Sequence, residues 1–106
     1  MFMMPDVKYV GGMQEMLDVA QALQEHGVGF SPHNPSGPIC HAASLQICAV
    51  SSGLERLEMQ YAETPLFEEL VSAMIPRAAK GEIAVPDNPG LGVRLDSAVL
   101  RRLRVD

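Results

Sequence analysis

Three ionisable side chains, Asp6, His33 and Glu58, each stand at the end of a short apolar stretch. Met1 to Met4 leads into Pro5-Asp6, Val28-Gly29-Phe30 leads into Ser31-Pro32-His33, and Leu54 to Leu57 leads into Glu58. Histidine is the side chain best suited to take or give a proton near neutral pH. An aspartate beside it holds the imidazole in one tautomer and favours the charged form left by proton uptake, as a general base requires. The plainer alternative is that His33 is a loop or helix-entry residue that hydrogen-bonds a backbone group.

What would bring these side chains together is a run of parallel strands. Met1 to Met4 reads as a buried strand, bounded by Pro5-Asp6. Gly11-Gly12 opens a helix from Met13 to His26, with Met13, Met16, Ala20 and Leu23 on one stripe and Gly27 as the stop. Val28 to Ser31 is a second strand. Pro38 suits the first turn of a helix from Ile39 to Val50, apolar nearly all round. Leu54 to Glu58 is a third short strand. Strand, helix, strand, helix, strand calls for parallel pairing through helical crossovers. Positions 6, 33 and 58 are each close to one such unit apart, a unit taking about 30 residues. All three side chains should then emerge at the carboxyl rim of neighbouring strands, about 4.8 Å apart, where ligands and chemistry collect in α/β proteins. Beyond them, Thr64-Pro65 predicts an N-cap and first position for a helix from Leu66 to Met74, ended by Ile75-Pro76. Lys80-Gly81 leads into Glu82 to Pro86, Asp87 to Val93 is turn-rich with one more short strand, and Asp96 or Ser97 caps a last helix through Arg104.

Composition narrows the class. With 106 residues and 47% hydrophobic content the chain makes one small globular domain. Its formal net charge of −5 argues against a nucleic-acid or anionic-membrane partner. Arg101, Arg102 and Arg104 are the single basic cluster and suit the negative end of a helix. Cys40 and Cys48 make neither a zinc spacing nor a disulfide framework and read as small buried residues in a reducing compartment. Met1 to Met4 is too short for a signal sequence and no run reaches membrane-spanning length, so the expectation is a soluble, cytoplasmic chain. His26 and His41 fall on predicted helices and are expected to be structural or exposed.

Several blocks, in order, carry a family resemblance. Met4-Pro5-Asp6-Val7-Lys8-Tyr9-Val10-Gly11-Gly12 resembles the sixth-strand motif of the mandelate racemase/muconate lactonizing enzyme family of the enolase superfamily. Ser31-Pro32-His33-Asn34-Pro35 resembles its seventh-strand motif, and Ala42-Ala43-Ser44-Leu45-Gln46 the helix after it. Leu57-Glu58 and Pro65-Leu66-Phe67 resemble the eighth strand and its sequel. Val85-Pro86-Asp87-Asn88-Pro89-Gly90-Leu91-Gly92-Val93 is similar to the tail that returns to the capping domain.

The resemblance implies an α/β fold, the C-terminal portion of a (β/α)7β TIM-like barrel. Residues 1–79 would be strands six to eight with the following helix, and residues 80–106 the tail directed at a capping domain. It implies removal of the proton α to a carboxylate, with Mg²⁺ and hydrogen-bond donors stabilising the enediolate. His33 matches the general base or acid of the mandelate racemase subgroup, Asp6 its dyad partner, and Glu58 the carboxyl group that helps hold the substrate carboxylate or enolate. Glu55 is a rival for the last role. Lys8 does not stand where the muconate-lactonizing subgroup has its base, so the implied chemistry is acid-sugar dehydration or 2-hydroxy-acid racemisation. The family's metal ligands lie on strands three to five, so none is expected in this chain. The expectation is therefore a C-terminal fragment of such an enzyme, inactive alone, its unpaired sheet edge favouring a homo-oligomer. The alternative is a non-catalytic assembly module derived from the same barrel.

Overall fold

In the computed structural model, which describes residues 1–60, 64–72 and 75–105, three parallel segments lie side by side in chain order. Strand β1 (Phe2–Met3) pairs with β2 (Gly29–Phe30), Phe2 opposite Gly29 and Met3 opposite Phe30. On its other side Phe30 bridges in parallel to Leu54. Further backbone bonds carry the ladder to the rim. Ser31 N–H donates to Met3 O and His33 N–H to Pro5 O, both at 3.0 Å. Glu55 N–H donates to Phe30 O at 2.8 Å and Glu58 N–H to Pro32 O at 3.4 Å.

Strand order agrees with the expectation, and strand extent does not. The third strand expected over Leu54–Glu58 is a single bridge at Leu54. Leu54 and Leu57 are three positions apart, a spacing that cannot put both on one face of a strand. Nor is β1 buried as expected: Phe2 and Met3 are 48% and 53% exposed. Helix α2 packs on β2, and among the described residues β1 pairs along one edge only.

A short helix α1 (Val7–Val10), which the sequence reading did not assign, follows β1 directly. Asp6 caps it, accepting the Lys8 N–H at 2.9 Å. Gly11 and Gly12 adopt φ of 115° and 129°, open to glycine and strained for other residues, and turn the chain into α2 (Met13–Glu25). Met16, Ala20 and Leu23 of the expected stripe are buried, whereas Met13 stays exposed at the helix start. His26 is the C-cap of α2, one residue past the helix. Helix α3 (Pro38–Val50) begins with Pro38 and is buried on several sides. Val7, Met16, Ala20, Leu23, Phe30, Cys40, Ala43 and Ile47 form the core. Burying each large member contributes about 1.5–3 kcal/mol, against about 1 kcal/mol net for a ladder bond. The core therefore does more than the short strands to hold the three segments in register.

The helix expected from Leu66 to Met74 is one turn, α4 (Leu66–Glu69); Ala73 and Met74 lie outside the described residues. It stops because Val71 leaves to form an antiparallel bridge with Leu95, and Ser72 N–H donates to Arg94 O at 2.8 Å. Pro65 stands at the N-cap, while the Thr64 hydroxyl accepts the Leu66 N–H at 3.4 Å. Residues 88–92 are turns and bends, the short strand expected in this region does not form, and an antiparallel bridge joins Ala79 to Glu82 ahead of it. Asp96, rather than Ser97, caps α5 (Ser97–Leu103), accepting the Ala98 and Val99 N–H groups. These bonds to backbone N–H groups hold its carboxyl below the usual range. Arg102 pairs with Glu69 at 2.6 Å and ties α5 to α4. Among the described residues no helix is long and apolar enough to cross a membrane.

Candidate active site

The ladder sets the site. Because Pro5 accepts from His33 and Pro32 accepts from Glu58, the residues at or beside those bonds are neighbours at one rim. Asp6 is buried, and its two oxygens have different partners. Oδ1 takes the Lys8 N–H of the helix cap, and Oδ2 lies 3.0 Å from His33 Nδ1. An ionised carboxylate can only accept, so Nδ1 carries the ring proton and Nε2 presents the lone pair. The cap orients the carboxylate, and the carboxylate orients the ring. His33 itself is open to solvent, its side chain 41% exposed.

Nε2 faces Glu58 Oε2 at 4.0 Å, too far for a hydrogen bond, so Glu58 leaves the lone pair unquenched. Glu58 is held from the other side by Asn34. The Asn34 backbone N–H donates to Glu58 Oε2 at 2.9 Å, and its Nδ2 donates to the Glu58 carbonyl at 3.0 Å. The same Nδ2 lies 2.8 Å from Nδ1 of His41 on α3. Asn34 and His41 are both buried. Burial lowers the His41 pKa, opposed by the Pro76 backbone carbonyl, and keeps the ring neutral at pH 7.

Asp6, His33 and Glu58 are thus brought together, and Glu55 is not with them. Its side chain lies on Gly29, where an added Cβ would clash with Glu55 Cγ. Among the described residues no hydrogen bond or ion pair joins Glu55 to His33 or Asp6. Lys8 stacks on Tyr9 and not on the dyad, with Nζ 4.5 Å from the ring centroid. His26 contacts the Ala22 carbonyl at 2.8 Å at the exposed end of α2. Both cysteines are free. Burial first, and the Asp6 charge second, raise the Cys40 thiol, and burial pushes Cys48 up to about 11.

The carboxylates present do not fit a Mg²⁺ site. Such an ion takes near-octahedral oxygen ligands, whereas the Asp6 oxygens are both engaged and one Glu58 oxygen accepts from Asn34. Among the described residues no group of three or more His, Cys, Asp or Glu side chains could hold a metal ion. The contacts of Asn34 and His41 were missed in the sequence. The available signal was a histidine on an otherwise apolar, buried helix and an amide directly after His33.

Comparison with known proteins shows the family of the chain. The family described as enolase C-terminal domain-like matches residues 1–99. The chain is 34% identical over 103 residues to D-galactonate dehydratase from Xanthomonas axonopodis pv. citri, a match covering 92% of the chain and 27% of that enzyme. It is 31% identical over 102 residues to D-gluconate dehydratase from Thermoproteus tenax, covering 96% of the chain and 20% of the enzyme. Among solved structures, a mandelate racemase/muconate lactonizing enzyme-like protein from Rubrobacter xylanophilus superposes with a TM-score of 0.85 at 31% identity. That superposition covers 99% of this chain and 27% of the other. What the chain shares with that solved structure is the α/β layout of parallel strands joined by helices. The chain belongs to the enolase C-terminal domain-like family, and spans about a quarter of the length of the Xanthomonas relative.

Proposed function

We propose that the chain carries the base side of an active site that removes the proton α to a carboxylate in an acid sugar or 2-hydroxy acid. One observation carries the reading: Asp6 Oδ2 lies 3.0 Å from His33 Nδ1, which leaves the Nε2 lone pair at an open rim. In this reading Nε2 takes the α-proton, and the electron pair of the C–H bond moves into the adjoining carboxylate as an enediolate. The imidazolium is stabilised by Asp6 at Nδ1. The Glu58 carboxyl hydrogen-bonds the substrate carboxylate or its enolate. In dehydration the enediolate pair expels a β-hydroxyl, and the Nε2 proton leaves with it as water; in racemisation a proton returns to the α-carbon. The names of the Xanthomonas and Thermoproteus relatives favour dehydration of sugar acids. In the family Mg²⁺ supplies charge stabilisation to the enediolate; its ligands would come from other segments, and no step above passes through it.

Residues 1–79 then serve as the barrel segment and 80–106 as a tail for a capping domain, within a longer cytoplasmic, homo-oligomeric polypeptide; this chain alone would be inactive. The second reading, an assembly module, draws on the exposed Phe2, Met3 and Met4 beside the free edge of β1. Intact mass of the native polypeptide separates the two. A mass well above 11.5 kDa supports the enzyme, and a mass of 11.5 kDa supports the module. With the native polypeptide, exchange of the galactonate or gluconate α-proton with solvent deuterium tests the chemistry. His33→Asn should lower that exchange about 100- to 10,000-fold, and exchange that survives it removes His33 as the base.

A further inference from the structure

We propose that Asn34 is a positioning residue that holds the Glu58 carboxyl against the His33 side of the rim, and that His41 locks Asn34 in the orientation this requires. The inference rests on the reading of His33 and Glu58 above and adds to it two residues outside the dyad. Asn34 grips Glu58 twice, by its backbone N–H at Oε2 and by Nδ2 at the main-chain carbonyl, so the strand end and the side chain are fixed together. The Asn34 N–H marks Oε2 as the accepting oxygen, so a proton on the Glu58 carboxyl belongs on Oε1. A carboxyl with one defined donor oxygen can orient a substrate carboxylate, whereas a freely rotating one cannot.

The Glu58 carbonyl sets which way the Asn34 amide points, and His41 holds it there. Nδ2 must be nitrogen, because it faces the Glu58 carbonyl, which can only accept. The second Nδ2 hydrogen then points at His41 Nδ1, which must be the unprotonated ring nitrogen. Flipping the amide would set Oδ1 against the Glu58 carbonyl oxygen and, while His41 Nδ1 is unprotonated, would lose both bonds. Stability alone does not explain Asn34. Its Oδ1 is buried with no partner among the described residues, a cost of about 1–3 kcal/mol. What the amide supplies is its two donors, aimed at Glu58 and at the helix behind it.

Two measurements decide the matter. In the chain itself, ¹⁵N spectra should show His41 as the Nε2–H tautomer, and three-bond couplings should show Glu58 in one χ1 rotamer that becomes averaged in Asn34→Ala. The opposite His41 tautomer, or a Glu58 rotamer untouched by Asn34→Ala, overturns the inference whether or not the native polypeptide has activity. In the native polypeptide, Asn34→Ala should lower α-proton exchange about tenfold or more. His41→Leu should lower it too, but add nothing in the Asn34→Ala background. His41→Gln, whose Oε1 can accept the same N–H, should restore it. Additive losses, or no rescue by His41→Gln, would sink the proposal. Absence of exchange in the wild-type polypeptide counts against the functional reading alone, since the rotamer and tautomer results stand apart from it.

Discussion

Asp6 joins a structural duty to a chemical one in a single carboxylate. Oδ1 caps α1 and Oδ2 orients His33, so two substitutions separate the duties. Asp6→Asn can keep Oδ1 as the cap acceptor, but its NH2 group would then face Nδ1 and force that nitrogen to accept. The ring proton moves to Nε2 and the lone pair is lost. The expected outcome is a fall in α-proton exchange of about 100- to 10,000-fold, with a thermal midpoint close to wild type. Asp6→Ala should show the same loss of exchange and in addition cost about 1 kcal/mol of stability through the lost cap, read by urea unfolding. Equal stability of the two variants would mean that the cap contributes nothing.

At the scale of elements, α3 is the unusual piece, since it buries a histidine among apolar residues. Its pH behaviour has a definite sign. Burial lowers the His41 pKa in the folded chain from the ordinary 6.5, so the unfolded chain binds a proton in acid that the folded chain refuses. The stability this involves is complete above about pH 6.5 and is lost as pH falls through the folded value. Protonation would also place an N–H at Nδ1 against the Asn34 donor. Urea midpoints followed downward from pH 7 should therefore fall more steeply in wild type than in His41→Gln. Identical slopes would show that His41 is not a source of the acid sensitivity.

For the whole molecule, the open side of the sheet matters most. Strand β1 pairs along one edge, and Phe2, Met3 and Met4 remain 43–53% exposed. A free parallel edge beside apolar side chains is a template for another chain. Sedimentation of the 106-residue chain should show association that grows with concentration. Met3→Lys should weaken it by placing a charge beside that edge, whereas the same change at exposed Leu103 on α5 should not. Equal effects would mean that association is general stickiness and not a property of this edge.

The sequence alone was enough for the order of the parallel segments, the two long helices, the Pro38 helix start, and the likeness to the mandelate racemase/muconate lactonizing enzyme family. Each of these is written in local spacing: apolar residues at steps of three and four, caps at helix starts, and glycines at turns. The candidate trio was legible for a related reason, since the ends of successive βα units recur at a regular interval. Other features were settled only in three dimensions. The choice of Glu58 over Glu55 as the neighbour of His33 depends on which backbone bond the third segment makes with Pro32 and Phe30, and both glutamates follow a leucine in the sequence. The helix after Pro65 stops early because Val71 pairs with Leu95, a partner far along the chain. The Asn34–Glu58 and Asn34–His41 bonds likewise join residues whose types are ordinary and whose closeness is set by ladder register and the packing of α3. Local propensity ends within a few residues, whereas pairing between distant segments is decided by the shared core that only the folded chain forms.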